Sequence, residues 1–141
     1  MRFRCVTILA VLFFIFSFAS VAYPAEPKFR PVDYDPFANL SEMDDASAAY
    51  QKGDFATAIK KFRKSAEQGN GIAQSYLGVM YYDGKGVPQD HVLAYMWFNI
   101  AAYNGNSSAA VTRAVIVEKM TPGQIEKAQT LTREWLEKKG K

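Results

Sequence analysis

Cysteine and histidine are almost missing from this sequence: Cys5 and His91 are the only ones in 141 residues. Cys5 stands ahead of a long hydrophobic stretch, so neither a structural disulfide nor thiol chemistry is open to the chain that follows. A domain without staples has to be held by its apolar core. A lone His91 is a poor candidate for a base, which needs an orienting partner and a nucleophile nearby. The acid pairs Asp33/Asp35 and Asp44/Asp45 have no His or Cys beside them at metal-ligand spacing. Gly84-Lys85-Gly86 is too short for a phosphate-binding loop and lacks the following Ser or Thr. No catalytic residue, cofactor or metal is therefore expected. An excess of one charge is lacking too. The formal net charge is +3, but beyond Arg2 and Arg4 the chain carries 15 Lys and Arg against 14 Asp and Glu. No basic stripe for nucleic acid remains.

What the sequence has is clearly partitioned. Arg2 and Arg4 precede an uncharged run from Cys5 to Ala25, and the small residues Ser20 and Ala22 follow its hydrophobic centre with the spacing of a processing site. Residues 1–22 read as a secretory signal peptide, with an uncleaved membrane anchor as the alternative. Either way the chain beyond is expected outside the cytoplasm, in the periplasm or secreted, and any membrane contact runs through this segment. Residues 23–42 hold four of the six prolines, interleaved with Phe29, Tyr34 and Phe37, which predicts an extended linker. The domain is expected over 43–138. Its first helix is announced by Ser41 with Asp44 as a capping pair, by Met43, Ala46, Ala49 and Tyr50 at helical spacing, and by the breaker Gly53.

Shifting the sequence by 36 positions aligns Asp54 with Asp90, Ala58 with Ala94, Phe62 with Phe98, Ala66 with Ala102, Gly69 with Gly105, Asn70 with Asn106 and Ala73 with Ala109. Seven identities in that window far exceed the roughly one that ordinary composition supplies, so the chain is repetitive. Positions 54, 58, 62 and 66 lie four apart and form one stripe on a helix, as do 90, 94, 98 and 102. Asp starts each helix and glycine ends it. Between them Ala73, Leu77, Met80 and Tyr81 recur at helical spacing, and Gly78 offers a flat patch to a neighbour. This partner helix closes in Asp83-Gly84-Lys85-Gly86-Val87-Pro88, a turn whose Val87 can point back into the core.

The stretch from Ala73 through Leu77, Gly78, Tyr81, Gly84, Gly86, Val87 and Asp90, followed by Ala94, Trp97, Ala101, Ala102 and Gly105, resembles a Sel1-like repeat. Residues 46–70 resemble a preceding unit in reduced form. The resemblance implies an all-α fold, a short superhelical solenoid of helical hairpins. After Ala109-Ala110 the pattern's Leu-Gly is replaced by Arg113-Ala114, so the third unit is expected to cap the solenoid. Val115-Ile116-Val117 read alone suits a strand, but the repeat phase predicts helix. Thr121, Pro122 and Gln124 then start a final amphipathic helix carrying Ile125, Ala128, Thr132 and Trp135. Such a closing helix resembles that of small bacterial Sel1-like proteins.

For function, the resemblance implies a non-enzymatic protein-interaction module of the cell envelope, adaptor or regulatory, with an unidentified protein or peptide as partner. Gln74, Tyr76, Tyr82 and Arg113 are the residues expected to meet it. Two alternatives stand beside this. One is an enzyme, because cysteine-rich relatives of the repeat class are credited with β-lactam binding or hydrolysis; the mature chain lacks those cysteines. The other is self-association through exposed stripes at the ends of the solenoid.

Overall fold

The computed structural model describes residues 40–140, which form six α-helices and, among those residues, no strand. They are α1 (Leu40–Gln51), α2 (Phe55–Glu67), α3 (Gly71–Asp83), α4 (His91–Tyr103), α5 (Ser107–Val117) and α6 (Pro122–Lys139). The expected signal segment and nearly all of the expected linker lie outside the described residues. The helix α1 begins ahead of the expected domain start at 43, so Ser41 is its second residue rather than its cap.

The caps explain the boundaries. Asp54 accepts from the Thr57 amide at 3.1 Å, and Asp90 accepts from those of Val92 and Leu93 at 2.8 and 3.0 Å. Asn70 does the same for α3, accepting from Ile72 and Ala73. Each such side chain satisfies amides that the helix start leaves without carbonyl partners. Thr121 and Gln124 form the reciprocal capping box, with Pro122 as first helical residue. Gly69 and Gly105 both take positive φ in the turns between units, at +91° and +89°.

Chain-adjacent helices pack from α1 through α5 in a zigzag, with each helix leaning on the next, and α6 returns to lie against α4. Thus α4 is covered from three sides, and eight of its thirteen residues are buried. The stripe residues Ala58, Phe62, Ala66, Ala73, Leu77, Ala94, Trp97, Phe98 and Ala101 are buried, while Ala102 and Tyr81 are half-buried. Each fully buried Phe or Leu contributes about 1.5–3 kcal/mol. Two contacts decide how close the helices come. A Cβ on Gly78 would lie 2.8 Å from the Phe98 ring, so only glycine lets α4 seat there. At Gly86 a Cβ would lie 2.8 Å from the Phe55 carbonyl oxygen, and φ is +72°, so the α3–α4 loop lies directly on the start of α2. Val87 beside it is half-buried against the core cluster that holds Phe62, Leu77 and Trp97. The segment 115–117 is helical, as the repeat phase requires. Against α4, Trp135 meets Trp97 edge to face at 5.9 Å, and Asn99 donates to Thr132 at 3.4 Å.

Candidate functional site

The four residues expected to meet a partner do not form one surface. Gln74 is a correction: it is wholly buried, its amide donating to the Ala66 carbonyl and accepting from Asn104 Nδ2, each at 2.9 Å. It sits on the α3 side that faces α2 and the α4 terminus, so it joins three helices and cannot reach a ligand. Tyr76 is half-buried and stacks on Phe62 with centroids 4.4 Å apart, its other neighbour being Tyr50 at 5.6 Å. Most of its ring is thus spent on packing. Arg113 is half-buried and donates to the Asn99 side chain, which ties α5 to α4.

Tyr82 is the one that stands at a distinct surface feature. Its ring stacks on His91, with centroids 5.2 Å apart and planes at 27°. Lys119 donates to its hydroxyl, and the ammonium lies 5.1 Å from the ring centroid. That hydrogen bond raises the Lys119 pKa above its ordinary value. Next to His91 an open cleft of about 590 Å³ runs between the starts of α4 and α6. Gln89, Asp90, His91 and Val92 line one side; Thr121, Gly123, Gln124 and Lys127 line the other. The α4 start is offset by the Asp90 carboxylate and the α6 start is closed by its Thr121–Gln124 capping box, so Lys127 is the cation that the cleft lining supplies. The Asp90 carboxylate is turned into the α4 amides as its cap. Thr121, the hydroxyl of the lining, is engaged in capping α6, and the cleft otherwise presents the His91 ring, the Lys127 ammonium and the Gln89 and Gln124 amides.

Several residues that order this region carried only weak sequence signals. Asn106 appeared only as one of the repeated positions. It caps α5 through Ala109 and also donates to the Gly71 carbonyl and to Ser75 Oγ, at 3.2 and 3.0 Å. Its recurrence as Asn70 was the available clue. Asn99, Asn104 and Lys119 sit outside the repeated positions, and nothing in the spacing marked them.

Comparison with known proteins agrees with this architecture. The Sel1 repeat family matches residues 46–70 and 71–106. Among solved structures, a protective antigen present in uropathogenic Escherichia coli strains, displaying an SLR fold, superposes with a TM-score of 0.69 at 33% identity. The match covers 72% of this chain and 23% of the antigen, so the present chain spans under a quarter of that longer protein. Comparison with curated proteins gives no match. Repeat spacing, six zigzag helices, the Gly78 seat and these two likenesses converge: the chain is a Sel1-like repeat protein, an all-α solenoid whose two matched units span residues 46–106.

Proposed function

We propose that this protein is a non-enzymatic adaptor of the cell envelope which holds a carboxylate-bearing segment of another protein in the cleft between the starts of α4 and α6. Sel1 repeats generally mediate protein–protein contacts, and the solenoid spends its interior on packing, so recognition belongs to its surface. This reading is carried by the open cleft lined by His91 and Lys127, together with Tyr82, which stacks on that His91 and is bonded by Lys119. Tyrosine supplies contact area at low conformational cost, and Lys127, the ammonium of the cleft lining, favours a partner carboxylate. The envelope setting is supported by the Arg-led hydrophobic segment at residues 1–25.

The test uses the full chain in its native cells, with a photo-crosslinking residue at Gly123, in the cleft lining where a side chain meets open space. The expected result is a discrete adduct with one protein, lost when Tyr82→Ala is added and weakened by raised salt. Absence of an adduct, or an adduct indifferent to Tyr82→Ala while helical content is intact, would refute the proposal.

A further inference from the structure

We propose that the open face of α5 is a self-docking surface, on which a second copy of this chain lays its own α5 antiparallel about a two-fold axis. This concerns a different surface from the α4–α6 cleft and stands or falls separately. Ser107, Ser108, Val111, Thr112, Ala114 and Val115 are all exposed, Val111 at 68% and Val115 at 55%. A helix face turned to water normally carries charge. The outer face of α2 does so with Lys60, Arg63, Lys64 and Glu67, and that of α6 with Glu126, Lys127, Arg133 and Glu134. The α5 face carries none over the same length, because the helix's one internal charge, Arg113, is turned to Asn99.

The repeat explains why the face is open. Moving 36 residues back from Ser107 and Ala114 gives Gly71 and Gly78, the positions on α3 against which α4 seats. In the third unit the helix that should close this hairpin, α6, packs on α4 instead. Among the described residues the seat is therefore without a helix to fill it. A second α5 fits it by composition. With the axis passing near Arg113, Val111 of one copy faces Val115 of the other. Glu118, the residue after the helix, then comes to the first turn of the other copy at Ser107 and Ser108, where the helix dipole favours a carboxylate. Arg113 lies level with the axis but is turned to Asn99 on the far side of the helix, so the facing residues Ser107, Ser108, Val111, Thr112, Ala114 and Val115 bring no charge to the seam. A solenoid of so few units also gains from added burial at its end.

The experiment is sedimentation equilibrium of the full chain across a wide concentration range, paired with site-directed disulfides in a Cys5→Ser background. The expected result is a reversible dimer, with Val111→Glu weakening it roughly 100-fold by placing an unpaired charge in the seam. Mixing Val111→Cys and Val115→Cys chains is expected to give the mixed disulfide in preference to either symmetric one. Both variants are surface changes, and unchanged helical content will show that they fold. A chain that stays monomeric at millimolar concentration, a dimer indifferent to Val111→Glu, or Val115→Cys linking only to some other protein would each overturn the proposal.

Discussion

Replacing Gly78 by alanine tests the packing on which the solenoid reading rests. The new methyl would lie 2.8, 2.8 and 2.9 Å from three carbons of the Phe98 ring, closer than carbon atoms tolerate. Phe98 is buried, so its ring has no solvent to swing into, and the α3–α4 hairpin must open or the ring must leave its rotamer. Overpacking of this kind costs about 1–3 kcal/mol. Against it stands the gain of alanine over glycine inside a helix, about 1 kcal/mol. The net expectation is a loss of up to ~2 kcal/mol, which for a domain of this size lowers Tm by roughly 4–8 °C per kcal/mol. Urea and thermal denaturation of Gly78→Ala, Phe98→Leu and the double variant measure it as a cycle. Leucine vacates the volume the methyl needs, so Phe98→Leu is expected to cost clearly less in the alanine background than alone. If Gly78→Ala stabilised the protein by the full propensity gain, and the two changes were additive, the helices would not meet at this seat.

Further expectations follow from particular contacts. Gln74→Ala removes a buried amide with two bonds and leaves a cavity, so denaturation should show a loss of about 2–4 kcal/mol, while any partner capture by the folded fraction stays unchanged. Ser65 is buried in α2 and its hydroxyl finds no partner among the described residues, so Ser65→Ala should be neutral or stabilising by up to ~1 kcal/mol on the same measurement. Asp90→Ala should cost about 1 kcal/mol through the lost α4 cap, whereas Asp90→Asn, also a good cap, should cost much less. The Thr57 hydrogen bond holds the Asp54 carboxyl below its ordinary pKa, so its stabilisation is full above the unfolded value and is lost as pH falls through the folded one. Thermal melts across the acid range should therefore show a shallower acid loss for Asp54→Asn than for the parent chain.

The repeat was legible in the sequence because its cause is periodic. Ala58, Phe62 and Ala66 recur because a helix of fixed length must meet the same neighbour at the same depth in each unit. Glycine at 78 could be read as a close approach for the same reason. The site was far less legible. Gln74 looks like a surface amide because polar residues usually are, yet its two bonds go to Ala66 and Asn104 on other helices, pairings that only the folded hairpins create. Tyr76 and Tyr82 are alike in sequence and both half-buried against the core, but the first stacks on the buried Phe62 while the second stacks on His91 and accepts from Lys119. The cleft joins residues 89–92 to residues 121–127 because α6 crosses back to α4, and nothing periodic announces that return. It coincides with the third unit's departure from the pattern at Arg113 and Ala114.

One device recurs at both junctions between units, and it bears on how the surface is kept in shape. The loop after α3 reaches back so that Lys85 donates to the Tyr50 hydroxyl at 3.0 Å, with its ammonium 5.2 Å from that ring. Asp83 pairs with Lys85 at 2.9 Å, and the two bonds together raise the lysine pKa. The turn after α5 repeats the arrangement, with Lys119 on Tyr82. In each case a lysine in the connection of one unit holds a tyrosine at the end of the preceding unit's first helix. Exposed pairs of this kind add little stability singly. Their effect is geometric: they fix the connecting turn to the earlier hairpin at a second point besides the helix contacts. At the second junction the tyrosine so held is the one stacked on His91, so the contact that ties the third unit's turn to the second unit also holds a ring against a side chain of the cleft lining. Under the proposed function, recognition beside His91 and the stacking of the third unit would therefore share one ammonium.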